Sequence, residues 1–247
     1  MYENILKEIE MKTVAFCTLG CKVNQYETNG MIQEFKNKGY EIVEFDEVAD
    51  IYIVNTCTVT NMADRKSRQM LRKVKELNSN SILVACGCYA QVAKDELEKI
   101  PEIDLILGTN EKKEIVKYVE EKSKIKNDII SDVLHEEEYT DFGDVTFTEK
   151  TRAVIKVQDG CDRFCSYCII PYARGHIRSR KKESVLSEIT KIAEEGIQEV
   201  VITGIHLASY GRDFKNNYRL IDLLEDINKI DKIKRIRLRI IRTNINN

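Results

Sequence analysis

The sequence predicts an α/β protein: an N-terminal doubly wound parallel sheet, then a second, shorter series of βα units. Two observations carry this. Short apolar runs bounded by turn residues recur along the chain, and charged amphipathic stretches of helical period separate them. The runs are continuously apolar rather than alternating, as expected of strands covered on both faces. In the first series the strands are KTVAFC (12–17), DIYIVNTC (50–57), SILVAC (81–86) and IDLILG (103–108). The helices between them are NGMIQEFKNKG (29–39), ADRKSRQMLRKVKEL (63–77) and KDELEKI (94–100). After residue 151 the rhythm returns, with strands RAVIKVQ, EVVITGI and KRIRLRI around helices SVLSEITKIAEEG and LIDLLEDINKI. Residues 123–146 are acidic and polar and read as a linker between domains spanning 11–122 and 147–247.

The 39 basic and 41 acidic residues nearly cancel, leaving a formal charge of −2. A global field attracting nucleic acid is therefore excluded, and any such contact must come from a local patch. No apolar run approaches the roughly 18 residues of a membrane span. The opening MYENILKEIEMKTVAF lacks the charged and apolar regions of a secretion signal. The chain reads as cytoplasmic with no membrane partner. Its eight cysteines then stand out, because clustered cysteines in a reducing compartment point to metal or redox chemistry.

Cys161, Cys165 and Cys168 lie within QDGCDRFCSYCIIPYARG, just past the C-terminal end of a predicted strand. That is where α/β folds place their chemistry. Three thiolates on one short loop can grip one metal centre. With four irons they leave one iron open for substrate. A zinc site completed by His176 is the alternative on spacing alone. Cys21, Cys57 and Cys88 each sit at or just past the end of a different predicted parallel strand. In a doubly wound sheet those ends share one edge, so the three converge on a second site. Cys17 and Cys86 lie further back in their strands and read as core residues.

The string GCDRFCSYCIIPYARGHIRSR resembles the radical S-adenosylmethionine methylthiotransferases. LGCKVNQYET, NTCTV and GCYAQ are similar to the three cluster-binding segments of that family's first domain. CTLGCKVNQYET most resembles the branch acting on threonylcarbamoyl-adenosine beside the tRNA anticodon. The resemblance implies that the second domain is a radical-SAM partial β/α barrel, here incomplete and C-terminally truncated. It implies two 4Fe–4S clusters, one on Cys161, Cys165 and Cys168 and an auxiliary one on Cys21, Cys57 and Cys88. It implies S-adenosylmethionine as cofactor, transfer of a methylthio group to adenine C2 of tRNA, and an electron donor such as flavodoxin or ferredoxin.

By the same resemblance Thr203 and Gly204 face the amino end of the cofactor, although a strand-to-loop turn explains Gly204 equally well. Tyr167 packs near the cofactor's adenine or is a buried loop tyrosine. Arg174, Arg178 and Arg180, directly after the cysteine loop, are expected to meet tRNA phosphates. The helix DRKSRQMLRKVK (64–75), with six basic residues and one acidic, is the weaker candidate, because a charge run is usually a solvated face. The competing readings are an inactive cluster-binding remnant and a zinc-binding RNA module.

Overall fold

The computed structural model describes residues 12–121, 128–143, 145 and 151–239. The opening residues 1–10, parts of the expected linker and the terminal RTNINN lie outside the described residues. The first half is a six-stranded parallel sheet. Its strands are β1 (Thr13–Thr18), β2 (Glu41–Val43), β3 (Ile51–Thr56), β4 (Ile82–Gly87), β5 (Leu105–Leu107) and β6 (Asp128–Ile129). They lie in the order β2-β1-β3-β4-β5-β6, so the chain reverses its winding between β1 and β3. The helices are α1 (Lys22–Asn37), α2 (Asn61–Leu77), α3 (Cys88–Val92), α4 (Lys94–Leu97) and α5 (Ile115–Glu120).

Period-two alternation splits the strand residues between two helical layers. Ala15, Tyr52, Val54, Leu83 and Ala85 pack with α2, α3 and α4. Val14, Ile51, Ile53, Val84 and Cys86 pack with α1 and α5. Cys86 is fully buried among the second set, and Cys17 packs against the first. Burial pushes the Cys86 thiol up to about 12, so it stays protonated and serves as a small hydrophobe.

The second half holds β7 (Ala153–Asp159), α6 (Ile170–Arg174), β8 (Arg178–Ser179), α7 (Lys182–Glu194), β9 (Glu199–Gly204), α8 (Leu220–Asn228) and β10 (Arg235–Leu238). The strand order is β10-β9-β7-β8, with β8 antiparallel to β7 and the others parallel. Ala153, Ile155, Val157, Val200 and Ile202 pack against α7 and α8. The opposite face carries Lys156, Gln158 and Thr203, all buried although polar. Among the described residues no helix is long and apolar enough to cross a membrane.

The acidic stretch read as a linker is not a free connection where it is described. Asp128 and Ile129 add β6 to the first sheet, pairing with Ile106 and Leu107. Val133, Phe142 and Val145 are buried. Phe142 and Val145 join the α1–α5 layer, while Tyr139 donates to the Lys156 carbonyl at 2.9 Å. A few apolar anchors dispersed among acids hold it, and composition averages them away.

Candidate functional site: two cysteine sets and the charge cluster between them

Three cysteines gather at the C-terminal edge of the first sheet. Cys21 is the N-cap of α1, Cys57 directly follows β3, and Cys88 is the first residue of α3 after β4. β1 and β3 flank the point where the winding reverses, the usual ligand crevice of an open α/β sheet. The backbone is tied tightly here. Gly20 has φ +101°, and a Cβ built on it would lie 2.8 Å from Cys57 Sγ, so only glycine lets that loop approach the thiol. The Ser67 hydroxyl on α2 donates to the Cys57 carbonyl at 3.2 Å. Thr56 donates to the Cys86 carbonyl at 2.6 Å and accepts from Ala90 N–H at 3.2 Å, fixing α3 against β3. Asn24 donates to the carbonyls of Leu19 and Thr56 at 2.7 and 3.0 Å, clamping the loops that carry Cys21 and Cys57. Burial raises the Cys57 thiol above its ordinary range, and its neighbours Cys88 and Cys21 add to the rise.

The second set occupies the loop after β7. Cys161 N–H donates to the Gly175 carbonyl at 3.0 Å and Cys168 N–H to the Cys165 carbonyl at 2.9 Å. Phe164, between the first two cysteines, is the one non-glycine residue with positive φ among the described residues, at 43°. That conformation costs on the order of 1 kcal/mol and persists where surroundings enforce it. Here the ring packs edge-on to Tyr172 and tilted on His176, both at 5.7 Å between centroids. All three thiols are partly accessible.

Both donor sets are thiols alone, which suits an iron–sulfur cluster. Among the described residues no three His, Cys, Asp or Glu side chains converge closely enough for a single metal ion. His176, the expected fourth zinc ligand, instead shares a 2.7 Å hydrogen bond with Asp162.

Thr203 is fully buried at the end of β9, and its hydroxyl has no partner among the described residues. An orphaned buried hydroxyl on the polar face of the sheet fits a polar cofactor group there. Gly204 sits against Gln158, whose Cβ and Oε1 would lie 2.9 Å from an added Cβ. The glycine thus admits Gln158, which in turn accepts from His206 N–H at 2.7 Å. Tyr167 is 83% exposed, so the buried-tyrosine alternative fails.

The three arginines expected at the tRNA surface are not on it. Arg174, Arg178 and Arg180 are 0%, 1% and 1% exposed. α6 is five residues long and ends at Gly175, and β8 then folds back antiparallel to β7. This turn sends the guanidinium groups into the interface between the two halves. Arg180 pairs with Glu188 and with Asp141 at 2.9 Å, and donates to Tyr26 Oη at 3.0 Å. Arg178 donates to Asn110 Oδ1 at 3.1 Å and to the Arg174 carbonyl at 2.7 Å.

Arg174 centres the cluster that sequence reading missed. It pairs with Glu27 of α1 and with Asp159 at 3.1 Å. Its NH2 donates to Asn24 Oδ1 at 2.5 Å, and its Nε to Cys88 Sγ at 3.3 Å. Lys112 and Lys156 reach Glu27 at 2.5 and 2.7 Å, and Lys156 also reaches Asp159 at 2.6 Å. Burial would raise the Glu27 carboxyl, but Arg174, Lys112 and Lys156 outweigh it and hold it well below the carboxylate range. Asp159 is likewise lowered against burial by Arg174 and Lys156. The signal available in sequence was Asn24 and Glu27, two polar residues at helical spacing inside KVNQYET.

Comparison with known proteins decides the family. The family described as Uncharacterized protein family UPF0004 matches residues 13–108, and the Radical SAM superfamily matches residues 155–246. The chain is 44% identical over 227 residues to a threonylcarbamoyladenosine tRNA methylthiotransferase, MtaB, of Aquifex aeolicus, covering 91% of this chain and 55% of that protein. It is 41% identical over 231 residues to MtaB of Bacillus subtilis, covering 92% and 51%. This chain belongs to the radical S-adenosylmethionine methylthiotransferase family. The chain is also 41% identical to a ribosomal protein uS12 methylthiotransferase, RimO, of Desulfitobacterium hafniense, covering 92% of this chain and 52% of that one. The chain spans about half the length of the curated relatives it matches. Among solved structures, the radical S-adenosylmethionine methyltransferase TsrM of Kitasatospora setae shares the fold, with a TM-score of 0.59 at 13% identity over 87% of this chain and 51% of that one.

Proposed function

We propose that this chain is the cofactor-binding part of a cytoplasmic enzyme that transfers a methylthio group to C2 of N6-threonylcarbamoyladenosine beside the tRNA anticodon. The observation that carries the reading is the pair of thiol sets, one at the C-terminal ends of the parallel strands of each sheet, with a buried charge cluster between the two halves. Cys161, Cys165 and Cys168 hold one 4Fe–4S cluster, and Cys21, Cys57 and Cys88 hold the auxiliary one. When bound, the first cluster and S-adenosylmethionine supply the one-electron chemistry that activates an unreactive C–H bond. The chain's own residues position and enclose. Thr203 offers its unpartnered hydroxyl, Gly204 admits Gln158 beside it, and Tyr167 presents an exposed ring from the cysteine loop. A flavodoxin- or ferredoxin-type protein donates the electron.

The tRNA contact moves from the buried arginines to α2. Arg65, Lys66, Arg72 and Lys73 are exposed on this helix, which begins just after Cys57. Val59 and Met62 beside them are 58% and 74% exposed. Cations for phosphates and apolar side chains for a base thus lie next to one cysteine set. The threonylcarbamoyl branch is supported by the CTLGCKVNQYET string and by the MtaB relatives.

The test is nucleoside mass spectrometry on tRNA incubated with anaerobically reconstituted protein, dithionite and S-adenosylmethionine. Methylthiolation of threonylcarbamoyl-adenosine but not isopentenyl-adenosine is expected. Equal modification of both overturns the branch, and no cleavage of S-adenosylmethionine overturns the enzyme.

A further inference from the structure

We propose that Arg174 is a positioning residue through which the radical-SAM half holds and electronically tunes the auxiliary cluster site of the other half. This rests on the reading of Cys21, Cys57 and Cys88 as cluster ligands. Arg174 stands six residues after Cys168, at the end of the short helix that follows the first cysteine loop. It is fully buried, yet every partner of its guanidinium named above except Asp159 is in the N-terminal half.

Those partners link it to all three cysteines. Nε donates to Cys88 Sγ directly, at 3.3 Å. NH2 donates to Asn24, whose own amide holds the Leu19 and Thr56 carbonyls, one beside the Cys21 loop and the other adjoining Cys57. Glu27 accepts from both terminal nitrogens of the guanidinium. A guanidinium held as a planar fork on several acceptors cannot reorient, so its Nε stays aimed at the sulfur.

The charge count points the same way. Lys112, Lys156 and Arg174, with the buried Arg178 also acting on Asp159, outnumber the two carboxylates Glu27 and Asp159. That positive charge lies beside Cys88 Sγ, which the Arg174 Nε–H reaches. Hydrogen bonds and positive charge at a ligating sulfur favour the reduced state of an iron–sulfur cluster. Because Arg174 belongs to the first cysteine loop's own helix, movement of that loop and the state of the auxiliary site are mechanically linked.

The test isolates the auxiliary site by replacing Cys161, Cys165 and Cys168 with Ala in the full chain. Into that background go Arg174→Gln and Arg174→Lys. Iron and acid-labile sulfide are measured per chain, and the midpoint potential is followed by electron paramagnetic resonance. Arg174→Gln should bind iron but reduce at a more negative potential, by about 59 mV for a tenfold change in a one-electron equilibrium. Arg174→Lys retains the charge without the fork. It should recover much of the potential and show an altered resonance line shape, and it keeps the test decisive if the glutamine variant fails to fold. Iron uptake with parental potential and spectrum in the folded variants overturns the inference alone. A background that takes up no iron with Arg174 intact overturns both the inference and the cluster reading beneath it.

Discussion

Replacing Glu27 with Gln tests the charge cluster at its most heavily used point. The carboxylate is 1% exposed and meets Lys112 at 2.5 Å, Lys156 at 2.7 Å and Arg174 through two nitrogens. Glutamine keeps the shape but leaves three buried cations against Asp159 alone, and turns an amide N–H toward one of them. Removing one partner of a buried ion pair costs about 3–5 kcal/mol, because the remaining charge stays desolvated. Total stability of a domain is about 5–15 kcal/mol, so the loss is a large share of it. At about 2–4 °C per kcal/mol for a chain of this size, the thermal midpoint should fall by roughly 6–20 °C. Circular dichroism of the apo protein at neutral pH gives the first readout. A pH series gives the second. The folded-state pKa of Glu27 lies below its unfolded value, so its stabilisation is present above the ordinary carboxylate range. It is lost as pH falls through the lowered pKa. The parent should therefore lose stability on acidification and converge on the variant. A variant within about 1 kcal/mol of the parent at neutral pH would refute the view that this cluster fastens the two halves.

The two-cluster reading predicts that replacing Cys161, Cys165 and Cys168 with Ala leaves about four irons per chain, and that replacing Cys21, Cys57 and Cys88 does the same. Loss of all iron from either triple variant contradicts it. Cys17→Ala and Cys86→Ala should leave iron content unchanged; a missing cluster in either would reassign a ligand. Cys86→Ala should also destabilise by about 1 kcal/mol, since the thiol is fully buried among Ile53, Val84 and α1. On α2, Lys66→Glu with Lys73→Glu should weaken tRNA binding. It should also lower the slope of log affinity against log salt by about 0.7–0.9 for each phosphate that the helix no longer neutralises. An unchanged slope would exclude this helix from the interface.

The strands and the cysteine loops were legible because each is specified locally. A parallel strand is a continuous apolar run, and the turn that ends it is written in the next residues: TLGC after β1, NTC at the end of β3, GCY after β4. What escaped were elements too short for a period, such as β2, β8 and α6, and everything decided by a distant partner. Arg174, Arg178 and Arg180 illustrate the second kind. A basic run with no visible acid beside it reads as surface, because burial of a charge is permitted only by a counter-charge. For Arg174 that counter-charge is Glu27, 147 residues away, and the bond crosses between domains, while Arg180 finds Glu188 and Asp141. Periodicity carries no trace of such a pair.

The chemistry of that interface also explains why it is ionic where the layers around it are apolar. An apolar contact tolerates sliding by fractions of a side chain, since dispersion and burial are non-directional. A fork of N–H donors on Glu27 and Asn24 has one satisfying arrangement, and each displaced donor leaves a buried polar group unpaired. The interface thus trades stability, which hydrophobic packing would supply at least as well, for a fixed relation between the two sheets. Two cysteine sets on separate domains need that relation if groups bound at both are to meet one base. The same interface contains the guanidinium that touches a cysteine sulfur, Arg174 on Cys88. Its placement follows from the demand for register, with Asn24 and Glu27 holding the two terminal nitrogens of the fork while Nε meets the thiol.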